Sequence, residues 1–329
     1  MQFPNIYAHK HYKLMLVIPI AMLVCIFLLL PSLKMGVDLR GGTQIIAHLD
    51  HAAGEPELMA HLAQYNLEDL SIKFTKNPIA GTEGIVIEFA GTPDLLEAEK
   101  LVESNPERAI ALAKPFITSN VSELMTAREV VELAKSDFNG RIQAGFVSFL
   151  GISKEQISVV EVGASLGEEF WASSQRALLV ALVLIAGIVF IMYRDIIPSI
   201  AVIQASAFDA LTAVGGMALL GIPFSLPTIA ALLMILGCSV DNNIMITDRI
   251  LRRRDGTAAE RAGGAVVTGF TMTSTLLIVL LIVIAVSSFN QMTSLFQIAA
   301  VLAMGLAGDL PATYITNAVM VLWLAERKK

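Results

Sequence analysis

The feature that most constrains this chain is a series of long apolar runs crowded into its second half. Ser174–Met192, Ile196–Leu220, Leu226–Ile246, Gly263–Val286 and Leu295–Leu324 each hold at most one charged residue. A helix needs about 20 residues to cross ~30 Å of hydrocarbon, and each run comes close to that or exceeds it. In lipid the backbone must satisfy its own polar groups, so runs of this length are helices. An earlier run, Leu14–Leu30, follows His9, Lys10, His11 and Lys13 and is interrupted only by Pro19. A cleaved leader also begins basic and turns apolar, but no small-residue cleavage site follows here, only Pro31-Ser-Leu-Lys34. The run is therefore expected to be a retained span. The expected fold class is a polytopic α-helical membrane protein with six transmembrane helices. The last span is long enough to tilt or break, and Pro311 lies inside it.

Charge divides the chain. Residues 34–170 carry 21 Asp+Glu against 11 Lys+Arg, while the remainder is net positive. An acidic unit of that size argues against nucleic acid as a partner, which requires a basic patch. Eleven Lys/Arg sit at one set of span ends: Lys10, Lys13, Arg194, Arg249, Arg252, Arg253, Arg254, Arg261, Arg327, Lys328 and Lys329. The opposite short loops, Gly221–Ser225 and Ser287–Thr293, carry none. Basic loops stay inside, so both termini are expected in the cytoplasm of a cell-membrane protein. The expected organisation is a cytoplasmic N-terminus (1–13), transmembrane helix 1 (14–33), an extracytoplasmic domain (34–170), helices 2–6 (171–326) and a cytoplasmic C-terminus (327–329).

The 34–170 segment mixes strand and helix signals. Thr43–Leu49, Leu70–Thr75, Ile85–Phe89 and Ile157–Val162 have strand character. Thr92 before Pro93 suits an N-cap opening a helix to Ser104, and Ser122–Phe138 is a second helical stretch. Intermixed strands and helices in a short domain predict an α+β sandwich of ferredoxin-like type. Asp38-Leu-Arg-Gly-Gly-Thr43 directly follows the first span, and its glycines Gly41 and Gly42 suit a tight turn.

Acids within the spans carry the functional argument. Asp209, Asp241 and Asp309 lie in spans three, four and six. A centred Asp costs about 2.5–3.5 kcal/mol on insertion scales, a large charge for a passive anchor. They are expected to be proton or ion coupling residues, or polar packing groups. Asn242 and Asn243 flank Asp241, and Thr268, Thr271 and Thr275 share one face of span five as supporting polar residues. Gly215–Gly216, Gly263–Gly264 and Gly305/Gly308 are expected to let helices approach closely. The histidines, His9, His11, His48, His51 and His61, lie outside the spans without metal spacing, and Cys25 and Cys238 form no framework. No phosphate-binding glycine loop is present. No metal or cofactor is expected.

These segments together resemble a known family. Gly36-Val-Asp-Leu-Arg-Gly-Gly-Thr43, Val162-Gly-Ala-Ser-Leu-Gly167, Tyr193-Arg-Asp195, Phe208-Asp-Ala210 and the run from Ala230 to Asp241, on to Asp248-Arg-Ile-Leu-Arg252, are similar to the SecD/SecF family of protein-export membrane proteins, on the SecF side, within the RND superfamily. Ser239-Val-Asp241 and Gly308-Asp309 resemble archaeal members. The resemblance implies an RND-like half of six spans that assists Sec-dependent export. It implies a SecD-like subunit, the Sec translocon channel, unfolded exported polypeptide and membrane lipid as partners. It also implies possible coupling to the proton motive force, with Asp241 as the residue carried over most directly. Bacterial members carry an arginine near the start of span five; Val266–Thr271 here has no basic residue. Asp38, Arg40, Gly41, Gly42 and Thr43 form the family motif after helix 1.

Two other readings compete. One is an RND-type small-molecule or lipid exporter subunit, which ordinarily holds two six-span halves in one chain. The other is an intramembrane aspartyl protease, which needs two acids on adjacent helices and a Gly-x-Gly-Asp pattern. Leu306-Ala-Gly308 before Asp309 lacks the first glycine. The chain is not expected to be an enzyme.

Overall fold

The computed structural model describes residues 15–49, 55–76, 83–119, 125–153, 156–253, 255–290 and 292–327. The expectations placed on His9, Lys10, His11, Lys13, His51, Arg254, Lys328 and Lys329 lie outside them. In chain order the elements are α1 (Val17–Leu29), α2 (Val37–Arg40), β1 (Gly42–Leu49), α3 (Glu55–Ala63), β2 (Ser71–Lys76) and β3 (Glu83–Phe89). Next come α4 (Pro93–Leu101), α5 (Pro106–Ala113), α6 (Ala127–Leu150) and β4 (Ile157–Val162). The rest is helical: α7 (Ala164–Tyr193), α8 (Ile196–Leu220), α9 (Leu226–Arg252), α10 (Ala258–Phe289), α11 (Thr293–Pro311), a π-helical turn (Ala312–Asn317) and α12 (Ala318–Arg327). Two compact units divide at Met35/Gly36 and Trp171/Ala172.

The α+β unit is built on one antiparallel sheet in the order β2-β3-β1-β4. Alternation along the strands puts Ile45, Ala47, Ile85, Ile87 and Phe89 on the same face, where they form one core with the helices. Leu58 and Leu62 of α3, Leu95 of α4 and Phe138, Ile142 and Phe146 of α6 fill it. The Thr92 side chain accepts from Leu95 N, as an N-cap should.

Two expectations in this unit need correction, and two helices were not foreseen. The helix expected over Ser122–Phe138 runs instead from Ala127 to Leu150, and residues 122–124 lie outside the described ones. Thr126 and Glu129 close a capping box that fixes its start, and Gly151 ends it in the left-handed region at φ 64°. Gly140 and Gly145 do not break it. A Cβ at Gly145 would fall 2.5 Å from the Tyr65 hydroxyl, so that glycine makes room for the tyrosine side chain against α6. Helices α3 and α5 were not anticipated, although Asn105 caps α5 by accepting from Arg108 N at 3.2 Å. The turn expected at Asp38–Thr43 is a helical turn, Val37–Arg40, followed by Gly41 at φ 79° and Gly42 at φ 131°.

The two glycine-bearing motifs that bracket this unit pack on each other. A Cβ on Gly167 would lie 2.6 Å from Gly41 N and 3.1 Å from the carbonyl carbons of Leu39 and Arg40. A Cβ on Gly42 would lie 2.5 Å from the Phe89 carbonyl oxygen. Arg40 reaches from the same turn to Asp69, Nη1 to Oδ2 at 2.9 Å.

A single carboxylate ties another loop of this unit to α6. Asp137 accepts from the amides of Thr118 (2.7 Å) and Ser119 (2.9 Å) and from both hydroxyls. These donors hold the carboxyl down at about 2, from an ordinary 3.8. The folded value is depressed, so the tether is complete above about pH 4 and is lost as pH falls through about 2. Asp137→Asn is expected to speed hydrogen exchange at the Thr118 and Ser119 amides at neutral pH. The wild type should match that speed, after correction for intrinsic exchange, only near pH 2. Unchanged exchange in the variant would show the tether to be idle.

In the membrane unit, five helices among the described residues are long and apolar enough to cross a bilayer: Leu166–Tyr193, Ile196–Leu220, Leu226–Arg252, Ala258–Phe289 and Thr293–Ala325. Val17–Ser32 is a shorter apolar helix. Burial separates them: the apolar stretches of α8, α9 and the last span are 50–56% buried, those of α7 and α10 only 6% and 17%. Helices α8, α9 and α11 therefore form the centre of the bundle. Glycines close it. Cβ atoms on Gly216 and Gly308 would meet Met304 and Thr212 at 2.6 and 2.5 Å across the α8–α11 contact, and one on Gly215 would meet Ile26 of α1. Gly264 has a different task, since a Cβ there would meet nothing within 4 Å. Its carbonyl accepts from Arg249 at 3.2 Å. The basic residues at this end tie helices together: Arg261 donates twice to the Ile250 carbonyl and Arg252 to that of Met192.

Candidate functional site

A polar layer lies within the apolar core of the membrane unit. It is built from α8, α9, α10 and the last span, and each contributes the face that helical spacing turns inward. On α9, Ser239, Asn242, Asn243, Ile246, Thr247 and Ile250 are all buried at spacings of three and four. Asp209 on α8 is 0% exposed and Asp309 on α11 is 1% exposed. Their carboxyls meet side chain to side chain.

The two acids have unequal surroundings. Asp309 sits in a cradle of donors: Asn242 Nδ2 at 2.8 Å, Thr273 Oγ1 at 3.4 Å and Thr313 Oγ1 at 2.5 Å. The Tyr314 hydroxyl lies 3.2 Å from Thr273 Oγ1 behind it. Asp209 Oδ2 accepts from the Ser239 hydroxyl, which in turn accepts from Asn243 Nδ2 at 3.1 Å. Asp209 Oδ1 is buried and has no donor among the described residues. Two acids brought together at membrane depth form a pair that can share a proton. What the arrangement can do chemically is hold and exchange a proton.

The layer continues along the last span. Asn317 Nδ2 donates to Asn243 Oδ1 at 2.8 Å, and the Thr247 hydroxyl lies 3.4 Å from Asn317 Oδ1. The π-helical turn between Pro311 and α12 presents Thr313, Tyr314, Thr316 and Asn317, all buried. The last span is not broken at the proline: the helix runs on through Pro311 and widens there into the π-helical turn.

Of the residues singled out in the sequence, Asp209, Asp309, Asn242 and Asn243 come together here. Asp241 does not: its side chain is exposed on the outer face of α9. Two residues along a helix are about 200° apart, so a residue between Ser239 and Asn243 faces away from both. Thr271 and Thr275 are also exposed, and Thr268 is half-buried and accepts from Arg249 at 2.7 Å. The hydroxyls of Thr268, Thr271 and Thr275 are satisfied by the carbonyls four residues back, at 3.3, 2.8 and 2.8 Å, and so need no interior face. The hydroxyl that α10 brings to the layer is Thr273, in line with Ala262, Ala265 and Gly269. That small-residue face was the signal for it, as the spacing Asp309-Thr313-Asn317 was for the last span. Asp38, Arg40, Gly41, Gly42 and Thr43 belong to the α+β unit and lie apart in sequence and unit from this layer.

Comparison with known proteins places the chain. Residues 144–327 match the family model described as protein export membrane protein SecD/SecF, C-terminal. The chain is 31% identical to the protein-export membrane protein SecF of Methanothermobacter thermautotrophicus over 96% of its own length and 94% of that protein's. It is 28% identical to SecF of Methanocaldococcus jannaschii over 94% of each chain. In structure it is similar to SecDF of Thermus thermophilus, a translocon-associated membrane protein, with TM-score 0.68 at 20% identity over 98% of this chain. This chain spans 39% of that one. A match over more than half the chain, joined to relatives of full length, decides the matter: the chain belongs to the SecD/SecF family of protein-export membrane proteins, on its SecF side and of the archaeal type.

Proposed function

We propose that this chain assists Sec-dependent export of unfolded polypeptides as one half of a two-chain membrane unit, and that the Asp209–Asp309 pair is its proton-exchanging element. The observation that carries the reading is the pair itself: two fully buried acids on facing helices, one cradled by three donors and the other short of one. Such a cost at membrane depth is expected where a charge or proton moves. The carboxyls are engaged by Ser239, Asn242, Thr273 and Thr313 rather than by each other across an attacking water, which favours proton exchange over proteolysis.

The partner is a SecD-like subunit. The solved relative is more than twice as long as this chain, which supports a second chain supplying the rest. Asp241 supports it too, because an acid exposed on the bundle face needs polar company rather than lipid. The translocon channel and the emerging polypeptide complete the assembly. In this reading Val17–Ser32 is the first of six spans, the termini are cytoplasmic, as the basic ends require, and the α+β unit is extracytoplasmic. Its sheet order, with α3 between β1 and β2 and α4–α6 between β3 and β4, supports a ferredoxin-like fold.

The test is precursor export with Asp309→Asn at equal expression. Asparagine keeps the shape and an acceptor oxygen but holds no exchangeable acid proton. Export is expected to fall about a hundredfold or more, the scale of one lost general acid–base group. Export at the wild-type rate would sink the coupling role.

A further inference from the structure

Thr313 has one hydroxyl proton and two acceptors. Asp309 Oδ1 lies 2.5 Å from Thr313 Oγ1, and Asn243 Oδ1 lies 3.0 Å from it. With Asp309 ionised, the carboxylate takes that proton. With a proton on Asp309 Oδ1, the acid donates to Thr313 instead, and the Thr313 proton turns to Asn243 Oδ1. No bond is lost in the exchange, but the tie from the last span to α9 gains one. Asn243 Oδ1 already accepts from Asn317 Nδ2 at 2.8 Å. The two residues that grip Asn243 therefore lie near the start and at the end of the same π-helical turn.

That turn is the weak point of the span. Pro311 has no N–H to give, and the π-helical hydrogen bonds that follow are longer-ranged than those of an α-helix. Single π turns inside helices commonly mark functional sites, and here the Thr316 hydroxyl donates to the Pro311 carbonyl at 3.5 Å. We propose that Thr313 is a positioning residue that carries the proton state of Asp309 into this turn, making Ala312–Asn317 the hinge on which α12 moves relative to α11. The proposal rests on the reading of Asp309 as the proton-exchanging acid and adds the route by which its proton becomes motion. The titratable groups that face Asp309 are Asp209 from α8, Cys238 from α9 and Tyr314 from the turn itself, with Asp241 further out on α9; α10 contributes only the neutral Thr273.

Trp323 reports on the hinge. It lies on α12, past the turn, with the Arg327 guanidinium 3.9 Å over its ring. Trp171 is the other tryptophan, in the other unit, and Trp171→Phe leaves Trp323 as the sole emitter. In the full chain in lipid nanodiscs, Trp323 emission is expected to titrate with pH. Thr313→Val, nearly the same shape without the hydroxyl, should lose most of that amplitude. Thr313→Ser should keep it, and Asp309→Asn should abolish it. A Thr313→Val curve of wild-type amplitude overturns the proposal, and so does a flat wild-type curve. Either failure leaves the export role of Asp309 to its own assay. If Asp309→Asn exports normally while the Thr313-dependent titration persists, the hinge stands and the coupling does not.

Discussion

Gly167→Ala should cost the α+β unit about 2–4 kcal/mol, and Gly167→Val should leave little folded protein to purify. The added methyl would sit 2.6 Å from Gly41 N and 3.1 Å from two carbonyl carbons. All three are backbone atoms in a turn held by Gly41 and Gly42 at positive φ, so no side-chain rotation relieves the clash. The loss is large beside a domain stability of about 5–15 kcal/mol. Gly163→Ala, four residues earlier, is the control: a Cβ there meets nothing within 4 Å. Gly140→Ala is a second control of opposite sign, since that glycine lies inside α6 with open space around it and alanine favours the helix by up to ~1 kcal/mol. Thermal unfolding of the purified chain in detergent, followed by far-ultraviolet circular dichroism, measures all three. Equal midpoints for Gly167→Ala and Gly163→Ala would remove the close contact between the two motifs as an element of the fold.

The elements of this chain were legible to different depths, for physical reasons. Hydropathy predicts Ile196–Leu220 to the residue because a span must be apolar and its ends are set by water. Ile157–Val162 is equally clear, a β-branched run ended by glycine. Helices α3 and α5 are harder: α5 is short and alanine-rich, and its burial is fixed only by its neighbours. The polar layer was half legible. Asp209 and Asp309 stand out by the cost of an acid at depth. Which face of a helix a polar residue occupies is a separate question, and residue type does not answer it. Asp241 carries the same side chain as the other two, yet the buried stripe of α9 passes through Ser239, Asn242 and Asn243 and excludes it. The threonines of α10 show the same thing: the most numerous hydroxyls bond their own helix, and the one that joins the site lies among alanines and glycine.

Asparagine and leucine at position 309 should separate the proton from the packing. Asp309→Leu strips the acceptor from Asn242, Thr273 and Thr313 at once. Interhelical hydrogen bonds in membranes average about 0.6 kcal/mol, and two of these three cross between helices. Asn242 keeps Thr273 as an acceptor and Thr313 turns to Asn243, so the cost is that of the two lost interhelical bonds and of an Asp209 left without its neighbour, about 2–3 kcal/mol. Asp309→Asn keeps one acceptor oxygen and gains an amide that can donate to Asp209, whose Oδ1 lacks a donor. It reproduces the singly protonated pair, and its stability should stay within about 1 kcal/mol of wild type. Asp209→Asn should behave the same way from the other side. Unfolding in mixed detergent and denaturant gives the stabilities, and precursor export gives the function. The expected pattern is that all three variants fail in export and only leucine fails in stability. If asparagine destabilises as much as leucine, the two acids do not share a proton, and Asp309 is a structural acceptor for the helices around it.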